Sequence, residues 1–176
     1  RKHHALIDYA HNPHSYEALG GFVKNWPGER IGVIGGPGDR RDEDFVTLGR
    51  LSAAIFDRVI VKEDDDTRGR PRGNASELIL RGIEQIQPNL PVEVILDETT
   101  AVNTALDRAP LNSLVVILPE SVTRAISLLN ARRPVQTQPP TPEPEPAQNG
   151  QMPTAEANKS AEVEIDSPAE MAQSNG

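Results

Sequence analysis

Five short apolar runs recur between residues 5 and 118: Ala5-Leu6-Ile7, Ile31-Gly32-Val33-Ile34, Arg58-Val59-Ile60-Val61, Val92-Glu93-Val94-Ile95-Leu96 and Leu114-Val115-Val116-Ile117-Leu118. Their length and β-branched content predict buried strands. Around them, stretches at about 13–25, 43–56, 74–87, 98–108 and 121–130 space apolar residues three or four apart, as one face of a helix requires. Leu48, Leu51, Ile55 and Phe56 line one such face; Leu78, Ile79, Ile83 and Ile86 line another. Strand and helix alternate five times, which predicts an α/β fold: a mostly parallel, Rossmann-like sheet with helices on both faces.

Local punctuation agrees with these boundaries. Asn12 before Pro13 fits a helix N-cap followed by the first helical position, where proline's missing N–H costs nothing. Asp97, Glu98 and Thr99 stand where a carboxylate or hydroxyl would cap the fourth helix, and the segments Asn25–Gly28 and Pro88–Pro91 would end the helices before them. Trp26 reads as a core or rim residue at a helix end, with Phe22 one turn earlier.

Composition divides the chain near Pro134. Residues 134–176 hold eight of the sixteen prolines, seven acidic residues against Lys159 alone, and no aromatic residue. Such a segment cannot bury enough apolar surface to offset its chain entropy, so it is expected to be a disordered, proline-rich acidic tail behind a folded domain at 1–133. The tail carries −6 of the total charge of −8, leaving −2 on the folded part. That near-neutral balance gives no electrostatic reason to expect a nucleic-acid partner. Without cysteine, disulfides and thiolate chemistry are excluded. No stretch approaches 18 consecutive apolar residues, so no membrane partner is expected and a cytoplasmic location is the default. The missing initiator Met and abrupt entry into Ala5-Leu6-Ile7 are read as a cut or incomplete start.

Ligands of open α/β sheets bind outside the carboxyl ends of the strands, and the unusual polar sequences fall there. Strand one ends in Asp8 to His14, strand two in Gly35 to Asp42 and strand three in Lys62 to Asp66. In the second segment glycines would let backbone approach an oxygen-rich ligand, with Arg40 or Arg41 to pair with an anion. An ordinary βα turn fits it equally, since it has neither a P-loop ending nor dinucleotide-fingerprint spacing. His11 and His14, three apart, are read as caps or ligand contacts rather than a metal pair, because no His-Glu-x-x-His pattern accompanies them. Glu63 to Asp66 places four carboxylates in succession, followed by Arg68, Arg70 and Arg72. Internal acid–base pairing explains both runs, and so does a cationic or Mg²⁺-bearing substrate.

The sequence Asp8-Tyr9-Ala10-His11-Asn12-Pro13 closely resembles the start of the C-terminal domain of Mur-type ligases, the family of peptidoglycan-precursor ligases and folylpolyglutamate synthetases. Gly38-Asp39-Arg40 follows the second strand as it does in that family. The longer stretches Gly38–Asp44 and Val61–Gly73 resemble the branch that polymerises aspartate and arginine into a branched storage peptide. The resemblance covers residues 4 to 130.

It implies an ATP-dependent carboxylate–amine ligase: a chain carboxylate takes the γ-phosphoryl group, an incoming amine displaces phosphate, and Mg²⁺ offsets the charge. The P-loop and most Mg²⁺ ligands would lie in a Mur-like central domain upstream, with aspartate addition in a separate ATP-grasp region. Those regions are thus implied partners, along with arginine, aspartate and the growing polymer, in a homo-oligomeric complete enzyme. This chain is expected to be a fragment that is inactive alone. The resemblance places Asp8, His11 and Asn12 toward the nucleotide and His11, Asp39 and Arg40 at the chemistry. Gly38, Asp64, Asp65, Asp66, Arg70 and Arg72 would face substrate, and the chain would supply no metal ligand. The alternatives are a non-catalytic nucleotide- or anion-binding module using the same strand ends, and a structural interaction domain.

Overall fold

Alternate residues of the central strands point to opposite sides of one sheet, and each side carries its own apolar layer. The computed structural model describes residues 4–132; the tail expected at 134–176 lies outside them. In chain order the elements are β1 (His4–Ile7), α1 (Pro13–Val23), β2 (Arg30–Ile34), α2 (Asp42–Ile55), β3 (Arg58–Val61), α3 (Asn74–Ile86), β4 (Val92–Val94), α4 (Glu98–Arg108), β5 (Leu114–Ile117) and α5 (Val122–Ala131). The strands lie in the order β1-β5-β2-β3-β4. Every pairing is parallel.

Val59 and Val61 of β3 and Leu114 and Val116 of β5 face α1, α2 and α3, where they meet Tyr16, Leu19, Phe45, Leu48 and Ile79. Ile31, Val33, Ile60, Val115 and Ile117 face the other way, against Ala101, Val102 and Ala105 of α4 and Ala125 of α5. Burying such aliphatic side chains stabilises by roughly 1.5–3 kcal/mol each, which makes the two layers the main source of folding energy.

Two of the predicted buried strands are edges. β1 and β4 each have one neighbour, and Ala5, Glu93 and Val94 are exposed. A short apolar run cannot disclose strand order, so it does not distinguish a central strand from an edge. The regular part of β4 stops at Val94, although Ile95 N–H still donates to Val61 O (2.9 Å) and Leu96 O accepts from Glu63 N–H (3.1 Å). α1 ends at Val23 rather than 25, where the chain turns through the Trp26 N–H to Val23 O bond. Ile86, predicted to belong to the buried face of α3, is 53% exposed in its last turn. Trp26 is a rim residue, with Nε1–H donating to Asn112 O (2.9 Å) and the His4 ring against it edge-on. Phe22 is no partner for it, being 74% exposed.

The caps follow the sequence. Asn12 accepts from Ser15 N–H while the Ser15 hydroxyl accepts from Asn12 N–H, a reciprocal capping box with Pro13 at the first helical position. Asp97 caps α4 by accepting from Thr100 N–H (2.7 Å).

Candidate functional site

The chain runs β2, β3, β4 outward across the sheet and then returns through α4 to place β5 between β1 and β2. β2 and β5 are adjacent, yet the helices that follow them lie on opposite faces. Between them the sheet opens a crevice at its carboxyl end, the usual ligand position of such a fold. A pocket of about 90 Å³ occupies it. Its walls come from four strand ends: Tyr9 and His11 after β1, Gly35 and Gly36 after β2, Lys62, Asp64, Asp66 and Arg68 after β3, and Glu120 after β5. Pockets that enclose a small molecule measure roughly 300 Å³ or more, so this surface is one wall of a site.

Of the residues predicted from the sequence, His11, Asp64 and Asp66 come together in this pocket. His11 is fixed by its Nδ1, 2.8 Å from Tyr9 O. Asp8 and Asn12 stand beside the pocket and shape its rim: Asp8 Oδ1 accepts from Ala10 N–H (2.7 Å), and Asn12 is the α1 cap. His14 is exposed on α1, away from His11's pocket.

The Gly35–Asp42 turn and the Glu63–Gly73 loop are built against each other. A Cβ on Gly38 would lie 1.9 Å from Thr67 O, and one on Gly35 would lie 2.6 Å from Lys62 O, so only glycine permits the approach. Arg70 fastens the two segments: Nε–H donates to Gly38 O (2.8 Å), one terminal nitrogen to Arg40 O (2.6 Å), and the other to Asp42 and Asn74. Its guanidinium lies 4.9 Å from the centre of the Phe45 ring. Arg70 therefore spends its donors within the protein. Asp39 and Arg40 lie outside the pocket wall. Asp39 is exposed and pairs with Arg68 (2.7 Å), whose guanidinium holds its carboxyl below the usual carboxylate range. Arg68 itself has φ 51, a left-handed backbone that its N–H to Asp66 Oδ1 bond braces.

The four successive carboxylates part company. Glu63, 4% exposed, accepts from Gly73 N–H and Ser76 N–H, so it caps α3 from across the loop. Asp64 pairs with Lys62 Nζ (2.7 Å), Asp65 with Arg124 (2.6 Å), and Asp66 with the Arg68 backbone. Arg72, exposed, donates to Asp64 O (2.8 Å). Asp65 and Arg72 are outside the pocket wall; Gly38 and Arg70 border a smaller recess beside it.

Sequence reasoning missed Glu98, Glu120 and Arg124 as site residues and gave Lys62, inside the third polar strand end, no role of its own. Lys62 is 1% exposed between Asp64 and Glu98, whose Oε2 lies 2.6 Å from Nζ. Glu120 accepts from Asp65 and Asp66 N–H and from Arg124. Desolvation alone would raise the Glu120 carboxyl, but those two amides and the guanidinium outweigh it and hold it below its ordinary range. Bonds from Asp65 and Glu120 push the Arg124 guanidinium up. Apart from the local Lys62–Asp64 and Glu120–Arg124 pairs, these contacts join different strand ends and so leave no spacing signal in the sequence.

The chain belongs to the Mur ligase family: residues 2–121 match its glutamate ligase domain, the C-terminal domain of these enzymes. Within the family it is similar to cyanophycin synthetases. Over 131 residues it is 71% identical to the cyanophycin synthetase of Nostoc sp., an alignment that takes in 74% of this chain and 14% of that protein. The chain thus spans about one seventh of the relative's length. The E. coli FolC structure in complex with ADP has the same fold, with a TM-score of 0.55, 24% identity, and coverage of 73% of this chain and 29% of the other. So does the Yersinia pestis bifunctional folylpolyglutamate synthase/dihydrofolate synthase complexed with AMPPNP and Mn ion, with a TM-score of 0.55, 22% identity, and coverage of 72% and 28%. Among the described residues no helix is long and apolar enough to cross a membrane.

Proposed function

We propose that this chain is the substrate-closing domain of an ATP-dependent cyanophycin synthetase, which adds aspartate and arginine to a growing cyanophycin chain through an acyl phosphate. The observation that carries the reading is the makeup of the pocket wall. Asp64, Asp66 and Glu120 stand there together, inside a domain 71% identical to the corresponding part of a cyanophycin synthetase. Lys62 and Arg68, the cations beside them, are already paired. An acidic wall suits an incoming amino acid with a cationic side chain, and a carboxylate can meet a guanidinium bidentately. The same acidity disfavours the alternative of an anion-binding module.

The half-open pocket fits a domain that closes over substrates held elsewhere. Closure would exclude water from the acyl phosphate, which otherwise hydrolyses. ATP, when bound, supplies the phosphoryl group that makes the carboxylate reactive. On this chain His11 and the exposed Tyr9 ring are the groups that would face the nucleotide, with Asp8 and Asn12 holding their turn in shape. Gly38, Asp39 and Arg40 would meet the reacting groups from the neighbouring turn, and Arg70 would keep that turn against the acidic loop. This reading leaves Mg²⁺ to the central domain. An ATP-grasp region for aspartate addition, a homo-oligomeric assembly, a cytoplasmic location and inactivity of the isolated chain go with the same reading.

The test replaces Asp64 and Asp66 singly with asparagine in the complete ligase and measures arginine and aspartate addition separately. Losing a charge-assisted contact worth about 2 kcal/mol lowers kcat/KM for arginine more than tenfold and leaves aspartate addition nearly unchanged. Arginine addition, and its discrimination against lysine, within about twofold of the parent in both variants would sink the recognition reading.

A further inference from the structure

We propose that Glu98 is a positioning residue that sets both acidic walls of the pocket, without touching substrate itself; the proposal rests on the pocket being the binding place of the incoming amino acid. Glu98 is the first residue of α4, on the return connection of the sheet, and 2% exposed. Its Oε2 takes two donors from two strand ends. Lys62 Nζ reaches it at 2.6 Å from the end of β3, and Glu120 N–H at 2.7 Å from the end of β5. Lys62 carries the constraint to Asp64 (2.7 Å). Glu120 carries it to the loop backbone, by accepting from Asp65 and Asp66 N–H. One carboxylate thereby fixes the spacing between Asp64 and Glu120, two of the three acids in the pocket wall.

A purely structural role explains Glu98 less well. The N-terminus of α4 already has its cap in Asp97. A buried ion pair gives little net stability compared with apolar side chains of the same volume, because desolvation offsets the attraction. Glu98 Oε1 and Arg124 Nε are buried without a hydrogen bond, held 3.6 Å apart as an ion pair only. Such groups are costly to keep in a fold that needs only packing. The network also has a sign. Lys62 and Arg124 stand among Asp64, Asp65, Glu98 and Glu120, an excess of two negative charges beside the pocket. That excess favours a cationic side chain in the incoming amino acid.

The decisive variant is Glu98→Leu, which leaves the pocket-lining Lys62 in place, and Glu98→Gln serves as the milder change. Amide hydrogen exchange is followed on the full 176-residue chain, with Val59 and Val116 in the sheet as folding controls. In the complete ligase, KM is measured for ATP and for the incoming amino acid. The sheet amides should exchange as in the parent, while Asp65, Asp66 and Glu120 exchange at least tenfold faster in Glu98→Leu. KM for the amino acid should rise at least tenfold, with KM for ATP and kcat within about threefold, a split that loss of stability alone would not produce. If Glu98→Leu does not fold, Glu98→Gln must show the same KM split at fivefold or more. Loop amides within twofold of the parent, or equal changes in both KM values, overturn the proposal. A parent ligase that adds no amino acid refutes the ligase reading instead, and the exchange data then decide on Glu98 alone.

Discussion

The Arg70 guanidinium lies over the Phe45 ring and from there holds the Gly38 carbonyl at 2.8 Å. An ordinary loop arginine would reach for solvent; this one joins the Gly35–Asp42 turn to the acidic loop. Arg70→Lys keeps the charge but cannot reproduce the planar fork that serves Gly38, Arg40 and Asp42 together. The substitution should cost about 2 kcal/mol in urea unfolding and shift the backbone NMR signals of Gly38 to Arg40. A loss below roughly 0.5 kcal/mol would mean that solvent replaces the clamp.

Gly38→Ala should act on the same junction through backbone alone. Its methyl group would meet Thr67 O, which cannot move without shifting the loop. Destabilisation of roughly 1–3 kcal/mol is expected, with the largest chemical-shift changes at 66–69. Gly21, whose Cβ would meet nothing within 4 Å, is the matched control, and alanine there should be tolerated.

Glu120 gives the acid limb of the stability curve a residue-specific contribution. Its carboxyl is held below its ordinary value of 4.5. The folded state therefore binds the proton less readily than the unfolded chain, and the stabilisation is full above that value. It is lost as pH falls through the lower folded value. Glu120→Gln should thus be less stable than the parent near about pH 6, and the gap should close as pH falls through the lower folded value, where the parent is protonated too. Urea midpoints at several pH values measure it; a gap that stays constant with pH would contradict the assignment.

Asn12→Ala should lower stability by about 1 kcal/mol and Asn12→Gly by only a few tenths, because glycine tolerates the cap backbone without supplying the acceptor for Ser15. Thermal unfolding of both variants separates the cap from any contact of Asn12 with ligand.

Much of this architecture was legible in residue patterns. β2, β3 and β5 are central strands whose alternate residues feed two layers, so runs such as Leu114–Leu118 carry their meaning locally. Asn12-Pro13 and Asp97 disclosed their helix starts because caps act within three residues. Strand order was not legible, and with it the exposure of β1 and β4. For the same reason the site was read in part. His11, Asp64 and Asp66 stand at strand ends that motifs mark. Glu98 reads in the sequence only as one of the polar residues at a helix start, and its partners Lys62 and Glu120 reach it only once the return connection is folded. The run Glu63 to Asp66 misled by its uniformity, since the fold assigns its first member to a helix cap and its third to a guanidinium.

The position of β5 also bears on how the domain is made. Among the described residues it is the last strand, yet it pairs with β1 and with β2 and is the one strand beside β1. During synthesis β2, β3 and β4 have their partners early, while β1 waits without one until Leu114–Ile117 has left the ribosome. Assembly of the pocket is then a late event of high contact order, slow relative to local helix formation. A nascent chain with Val94 already outside the ribosome and Leu114 still inside would hold a three-stranded half-sheet whose β2 edge, later covered by β5, stands open to other chains.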